Sequence, residues 1–179
     1  MKIQKQFKIE KVASRDEARP VLNSVHINAD GENAFAVATD GKRLAVVPID
    51  LDSGDLSGEN SPRQVNMPLA AIKAARKFGG NGKSAPPISI QLNGEARLLD
   101  GSTHPYESGT YPNWKAVMPS PEAANLRVTI NAKYLFELAE AIGSAESVTL
   151  HIEDSISAIR VTGEHQDAVG VLMPRRKGK

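Results

Sequence analysis

Three similar stretches recur at a near-constant interval, and that interval limits the fold more than any single motif does. Val25-His26-Ile27-Asn28, Ile88-Ser89-Ile90-Gln91 and Val148-Thr149-Leu150-His151 are spaced by 63 and 60 residues. Ala34, Ala96 and Ala158 open the following strands at a spacing of 62. A strand and an amphipathic helix precede the second and third copies, at residues 64–78 and 127–142. The first copy has a strand and only a stub of helix. The chain therefore reads as α+β, three repeated strand-helix-strands modules with the first helix reduced. A module alone leaves one sheet face bare, so modules must pack together.

Composition narrows the functional classes. Hydrophobic residues at 40% and charged residues at 24% can build a core. A net charge of +1 provides no global field for nucleic acid, so such binding must come from local clusters. With no cysteine, disulfides, thiol catalysis and cysteine-bound zinc are excluded, in keeping with a reducing compartment. No apolar run reaches membrane-spanning length, and MKIQKQFKIE lacks the apolar core of a signal peptide. The expected location is the cytoplasm, with no membrane partner.

In chain order, the alternation of Ile3, Phe7 and Ile9 predicts an edge strand over 2–12. Residues 14–18 suit one helical turn, with Ser14 as N-cap and Glu17 at the capping-box position. Strands are expected at 22–28, 34–38 and 44–49. Between the last two, Thr39-Asp40-Gly41 has turn chemistry and holds Lys42 and Arg43 at a hairpin tip. Residues 51–62 read as a mobile loop. A strand at 64–67 leads through Pro68 into a helix to Phe78, stopped by Gly79 and Gly80. Ala71, Ile72, Ala75 and Phe78 form its apolar side, and Lys73, Arg76 and Lys77 the other.

Strands about Asn93-Gly94 follow at 88–92 and 96–99, with a further one at 104–108. Residues 111–120 form an ordered connector that carries Trp114. A strand at 127–130 leads to Asn131, a good N-cap for a helix over 132–142. Tyr134, Leu135, Leu138, Ala141 and Ile142 are expected to be buried there. Lys133, Phe136, Glu137 and Glu140 are expected to face outward. Strands at 148–152, 158–162 and 168–173 precede the basic end RRKGK, read first as a solubilising tail and second as a DNA contact.

No constellation of catalysis appears. G-G-N-G-K-S at 79–84 lacks the Walker glycine, because Lys77 stands there, and Ala85-Pro86-Pro87 forbids the helix that must follow. His26, His104, His151 and His165 show no metal spacing, so no metal or cofactor is expected. Asp154-Ser155-Ile156-Ser157 reads as a turn. The cationic helix face of Lys73, Arg76 and Lys77 suits phosphate contacts, with a solvated face as the competing reading. Glu137 and Glu140 suit a solvated face or a subunit contact instead.

Five stretches resemble a known family. A-T-D-G-K-R-L-A at 38–45, Y-P-N-W-K-A-V-M-P at 111–119, I-N-A-K-Y-L-F-E-L-A-E-A-I at 130–142, E-D-S-I-S-A-I-R-V at 153–161 and V-L-M-P at 171–174 are similar, in this order, to the second and third domains of the bacterial sliding clamp, the beta subunit of DNA polymerase III. The resemblance covers most of residues 22–174. It implies a DNA-clamp-like fold, in which domains are module pairs with helices inside and sheets outside, and two three-domain chains close a ring around duplex DNA. By order, residues 1–120 resemble the two-module second domain. Residues 121–179 resemble the C-terminal half of the third, plus a basic tail.

In that family a pocket between the second and third domains takes short partner peptides, often with Gln, Leu and Phe. Carried over by position, it would use Leu22, Thr39, Gly41, Lys42, Arg43, Leu44, Pro112 and Val117 from the first part of the chain. The later part would supply Asn131, Tyr134, Ile156, Ala158, Val171, Leu172, Met173 and Pro174. Aliphatic walls with few polar groups suit such a peptide. Two departures stand out: Ala116 replaces a usual Arg, and cations at 175–177 stand where the family ends on an apolar residue.

The function implied is a non-catalytic replication accessory that tethers a polymerase or other partner to duplex DNA. The alternative is a reduced clamp that binds peptides as an adaptor or competitor without encircling DNA. Expected partners are polymerase or clamp-loader peptides, duplex DNA and further copies of the chain. Self-association is expected because three modules leave one without a mate, its sheet face and Phe136 exposed.

Overall fold

Extended segments rich in Val, Ile and Ala form most of the regular structure, paired in antiparallel ladders. The structure, a computed structural model, describes residues 1–179 except 5, 31–32, 53–54, 56–62, 79–86, 121–123, 145, 165–166 and 176–179. The glycine-rich stretch at 79–84, with the helix-stopping Gly79 and Gly80, lies outside the described residues. So do His165, most of the 51–62 loop, and Arg176 onward. Two compact units result, Met1–Met118 and Pro119–Lys179.

In the N-terminal unit, β2 (Ser24–Asp30), β3 (Asn33–Thr39) and β4 (Leu44–Pro48) form an antiparallel meander. A second meander is built from β7 (Gln91–Asn93), β8 (Glu95–Arg97) and β9 (Thr103–His104). Each module's leading strand pairs with a strand of the other module. β5 (Gln64–Pro68) pairs with β2, placing Val65 opposite Ile27, Asn66 opposite His26 and Met67 opposite Val25. Reciprocally, β1 (Lys2–Ile3) pairs with β6 (Ile88–Ser89), which leads into the second meander. On its other edge, β1 bridges Asp50 through Lys2, and β5 bridges Glu107 through Asn66.

This exchange fuses two modules around one core. Ile3, Val25, Ile27, Met67, Ile72, Ile88 and Ile90 are buried together. Helix α1 (Leu69–Lys77) follows β5 directly, with Pro68 extended at its cap, and buries Leu69, Ala71, Ile72 and Ala75. Phe78, expected on that buried side, lies past the last turn and is half exposed.

The first 30 residues depart from the periodicity. The expected strand over 2–12 stops at Ile3, and Ile9–Lys11 form one 3₁₀ turn that drops Ile9 into the core. This turn, not residues 14–18, is the reduced helix of the first module. Ser14 does not cap a helix; its hydroxyl accepts from Asp16 N at 3.1 Å, and Asp16 Oδ1 accepts from Ala18 N at 3.0 Å. These side chains satisfy the backbone locally, which competes with helix formation.

The C-terminal unit is a single module. Asn131 Oδ1 accepts from Lys133 N at 3.0 Å and caps α2 (Ala132–Ala141). A meander of β10 (Thr149–His151), β11 (Ile159–Thr162) and β12 (Val169–Leu172) follows. Its core is Ile142, Ile159, Val161 and Leu172, with Val128, Ile130, Leu135 and Leu138 half buried against it. Leu138 lies directly on Gly170, where a Cβ would fall within 2.9 Å of three Leu138 carbons. The strand expected at 127–130 does not form. The corresponding strand of the N-terminal unit, β5, gains its ladder from the other module's β2, and this unit contains no second module.

Two charged or polar pairs tie the N-terminal unit across its modules. Arg76 reaches the first module's turn, with Nε 2.6 Å from Glu10 Oε1, Nη2 2.7 Å from Glu10 Oε2, and a bond to Phe7 O. His26 Nδ1 lies 2.8 Å from Asn66 Oδ1, beneath a stacked Tyr111 ring at 4.5 Å. Burial there holds the His26 imidazole below its ordinary 6.5, with the Asn66 bond opposing.

Arg76→Ala would strand a mostly buried Glu10 carboxylate and cost about 3 kcal/mol of stability, read by urea unfolding of the N-terminal unit's transition. The neutral His26 stabilises fully above about pH 6.5, and that contribution is lost as pH falls, because the unfolded chain takes a proton the folded chain resists. The drop in urea midpoint between about pH 7.5 and about pH 5.5 should therefore shrink in His26→Phe. An unchanged drop would remove His26 from the account.

Candidate functional site

The A-T-D-G-K-R-L-A hairpin is built as its turn chemistry requires. Gly41 adopts a φ of 89°, in the left-handed region. Asp40 Oδ1 accepts from Lys42 N at 3.0 Å and Arg43 N at 3.1 Å. Thr39 Oγ1 donates to Arg43 O at 2.7 Å and accepts from Gly41 N at 3.0 Å. These donors hold the Asp40 carboxyl below its ordinary 3.8, the Lys42 amide first among them. Lys42 and Arg43 do not form a pair of like cations at the tip. Arg43 folds back, its Nε 2.9 Å from Asp40 Oδ2 and its Nη2 3.2 Å from Lys11 O, while Lys42 is exposed.

Of the other residues carried over to this unit, Leu22 and Leu44 share the hairpin's end of the sheet, and Pro112 follows Tyr111, which meets Thr39. Leu22, just before β2, and Leu44, opposite Thr39, are half buried there, and Pro112 and Val117 are exposed in the connector. Pro112 borders a polar depression of about 400 Å³ with His26, Arg63, Tyr111 and Trp114. Trp114 meets Phe35 edge-on at 6.3 Å, and Lys115 Nζ lies 5.8 Å above the Trp114 ring. Burial pushes the Tyr111 phenol up to about 12. Sequence alternation hid this cluster, because His26 falls on the face of β2 opposite Val25 and Ile27, where the distant Tyr111 stacks on it.

In the C-terminal unit α2 and β12 enclose a groove of about 620 Å³. Asn131, Tyr134, Val171, Leu172 and Met173 line it, joined by Glu137, Leu138, Ala141 and Arg175. Ile156 and Ala158 lie outside that lining, exposed before β11, where Asp154 closes a turn. Pro174 is half buried between Met173 and Arg175. Tyr134 and Ala141 are not core residues as their helical spacing suggested. Tyr134 is 58% exposed and stands as a wall of the groove, because Leu135 and Leu138 already fill the space over the short sheet. Glu137 and Ala141 were legible as groove residues from their spacing of three and seven from Tyr134.

The cationic face of α1 also needs revision. Lys73 and Lys77 are exposed, but Arg76 points the other way, into its ion pair with Glu10. Among the described residues no cluster of His, Asp and Glu can hold a metal, and no helix is long and apolar enough to cross a membrane.

Comparison with known proteins bears on this arrangement. Residues 4–102 match the family model for the DNA polymerase III beta subunit, central domain. A beta sliding clamp from Synechocystis is 26% identical over 175 residues, covering 87% of this chain and 43% of the relative. Another from Treponema pallidum is 27% identical over 155 residues, covering 83% and 37%. Among solved structures, a Caulobacter crescentus beta sliding clamp shares the fold with a TM-score of 0.69 at 22% identity, covering 96% of this chain and 48% of that one. A Bacillus subtilis sliding clamp does so at 0.68 and 16%, covering 96% and 47%. The chain spans less than half the length of each of these relatives. With more than half of its residues inside the family model, it belongs to the DNA polymerase III beta subunit family, the sliding clamps.

Proposed function

We propose that this chain is a clamp-like, non-catalytic accessory of DNA replication in the cytoplasm, acting as a homo-oligomer that tethers a polymerase or similar partner to duplex DNA. The observation that carries this reading is the match of residues 4–102 to the clamp's central domain. On this reading residues 1–120 stand for that domain and 121–179 for the end of the third.

The α2–β12 groove supports a peptide-binding role. Its walls are mainly Tyr134, Leu138, Val171, Leu172 and Met173, which suit Leu and Phe anchors, while Asn131, Glu137 and Arg175 supply polar ends. Leu22, Thr39, Gly41, Lys42, Arg43, Leu44, Pro112, Val117, Ile156, Ala158 and Pro174 remain proposed contributors by family position. For DNA, Lys73 and Lys77 are the proposed phosphate contacts. Arg76 leaves that set, because its guanidinium is engaged with Glu10.

A fluorescein-labelled peptide containing Gln, Leu and Phe should bind weakly, and Tyr134→Ala should weaken it several-fold, the effect of losing about 1 kcal/mol at an anchor. No binding at millimolar peptide would sink the groove's role. Duplex DNA binding, read by anisotropy across a salt series, should weaken as salt rises. Lys73→Glu with Lys77→Glu should lower the slope of log K against log salt by about 2. Peptide binding without salt-dependent DNA binding would instead assign the chain as an adaptor.

A further inference from the structure

The C-terminal module retains both halves of a strand exchange that the N-terminal unit completes internally. In the N-terminal unit, Asn66 O accepts from Glu107 N at 2.8 Å on one edge of β5, while the other edge pairs with β2. In the C-terminal unit, Thr129 O accepts from Arg175 N at 2.7 Å in the same way. Carbonyls alternate in direction along an extended strand, so Val128 and Ile130 direct theirs to the opposite edge. No strand lies there among the described residues of this unit. β10, the counterpart of β2, is likewise the outer strand of its sheet.

The helices show the same gap. On α1, Ile72 is buried and Arg76 reaches the other module through Glu10. Their counterparts 63 residues on are Leu135 and Ala139. With Ala132, Phe136 and Val148, these two border an open, largely apolar depression of about 630 Å³. Whereas α1 buries four residues, α2 buries none among its described residues.

We propose that a second copy of this chain covers this face by exchanging strands. Residues 128–130 of each copy lie antiparallel along β10 of the other. One module supplies both the donor strand and the acceptor edge, so a two-fold axis satisfies both at once and closes the assembly as a dimer. The register follows from the N-terminal unit, where Asn66 stands opposite His26. It sets Thr129 opposite the partner's Thr149, Val128 opposite the partner's Leu150, and Ile130 opposite the partner's Val148. This deepens the oligomer proposed above by naming its interface. It rests on the fold of residues 119–179 and not on tethering, so it is tested with neither DNA nor peptide present.

Light scattering of the full chain at micromolar concentration should give twice the monomer mass. Ala132→Glu should give a monomer. Its carboxylate suits the first turn of α2, so folding is retained by circular dichroism, yet it places a charge in the covered face. Because the chain has no cysteine, register is read by mixing exposed-site variants under mild oxidation. Thr129→Cys with Thr149→Cys should yield a disulfide-linked dimer, and Thr129→Cys with Val169→Cys, on the far edge, at least several-fold less. A monomeric wild type would overturn the proposal. So would a dimer indifferent to Ala132→Glu, or equal cross-linking in the two mixtures.

Discussion

The N-terminal unit depends on the reciprocal loan of leading strands. β5 lies on β2 and β1 on β6, so neither meander has a complete sheet without the other module. Burial follows from this pairing. Val25, Ile27 and Met67 face one another across the β2–β5 ladder, while Ile3 and Ile88 do so across β1–β6, and α1 closes over them. Burial of each such side chain contributes on the order of 2 kcal/mol, so a core held jointly makes the two modules one cooperative unit.

Polar groups follow the same seam. The Glu10–Arg76 pair joins a 3₁₀ turn of the first module to the helix of the second. Asn66 bridges three segments: its Oδ1 meets His26 Nδ1, and its Nδ2 donates to Gly109 O at 2.8 Å. This explains how a histidine and an asparagine sit in a buried layer at little cost. Both side-chain polar atoms of Asn66 and the Nδ1 of His26 find partners, and the neutral imidazole avoids the desolvation that a charged one would suffer.

Much of this was legible in the sequence because it depends on local patterns. The 62-residue period showed the three modules, and the Asp40-Gly41 turn and the Asn131 cap form as their side chains dictate. What was not legible depends on distant partners. Val128 and Ile130 have the composition of a strand, but a ladder needs a neighbour that no local pattern can provide. Arg76 has helical spacing with Lys73 and Lys77, yet a glutamate 66 residues away turns it inward. The alternation of Ile3, Phe7 and Ile9 fits a strand, but Ile9 is buried at the start of a 3₁₀ turn. The groove residues came from family position, and only some of them converge on one surface.

Gly170 has a consequence for that surface. The groove's two walls belong to α2 and β12, and Leu138 packs on Gly170 between those elements. A single hydrogen atom acts as the spacer there. Tyr134 and Val171 stand on the two elements that this contact brings together. The distance between those walls thus rests on a side chain that is missing: a methyl group at position 170 would overlap Leu138 and force that residue, or the walls themselves, to shift.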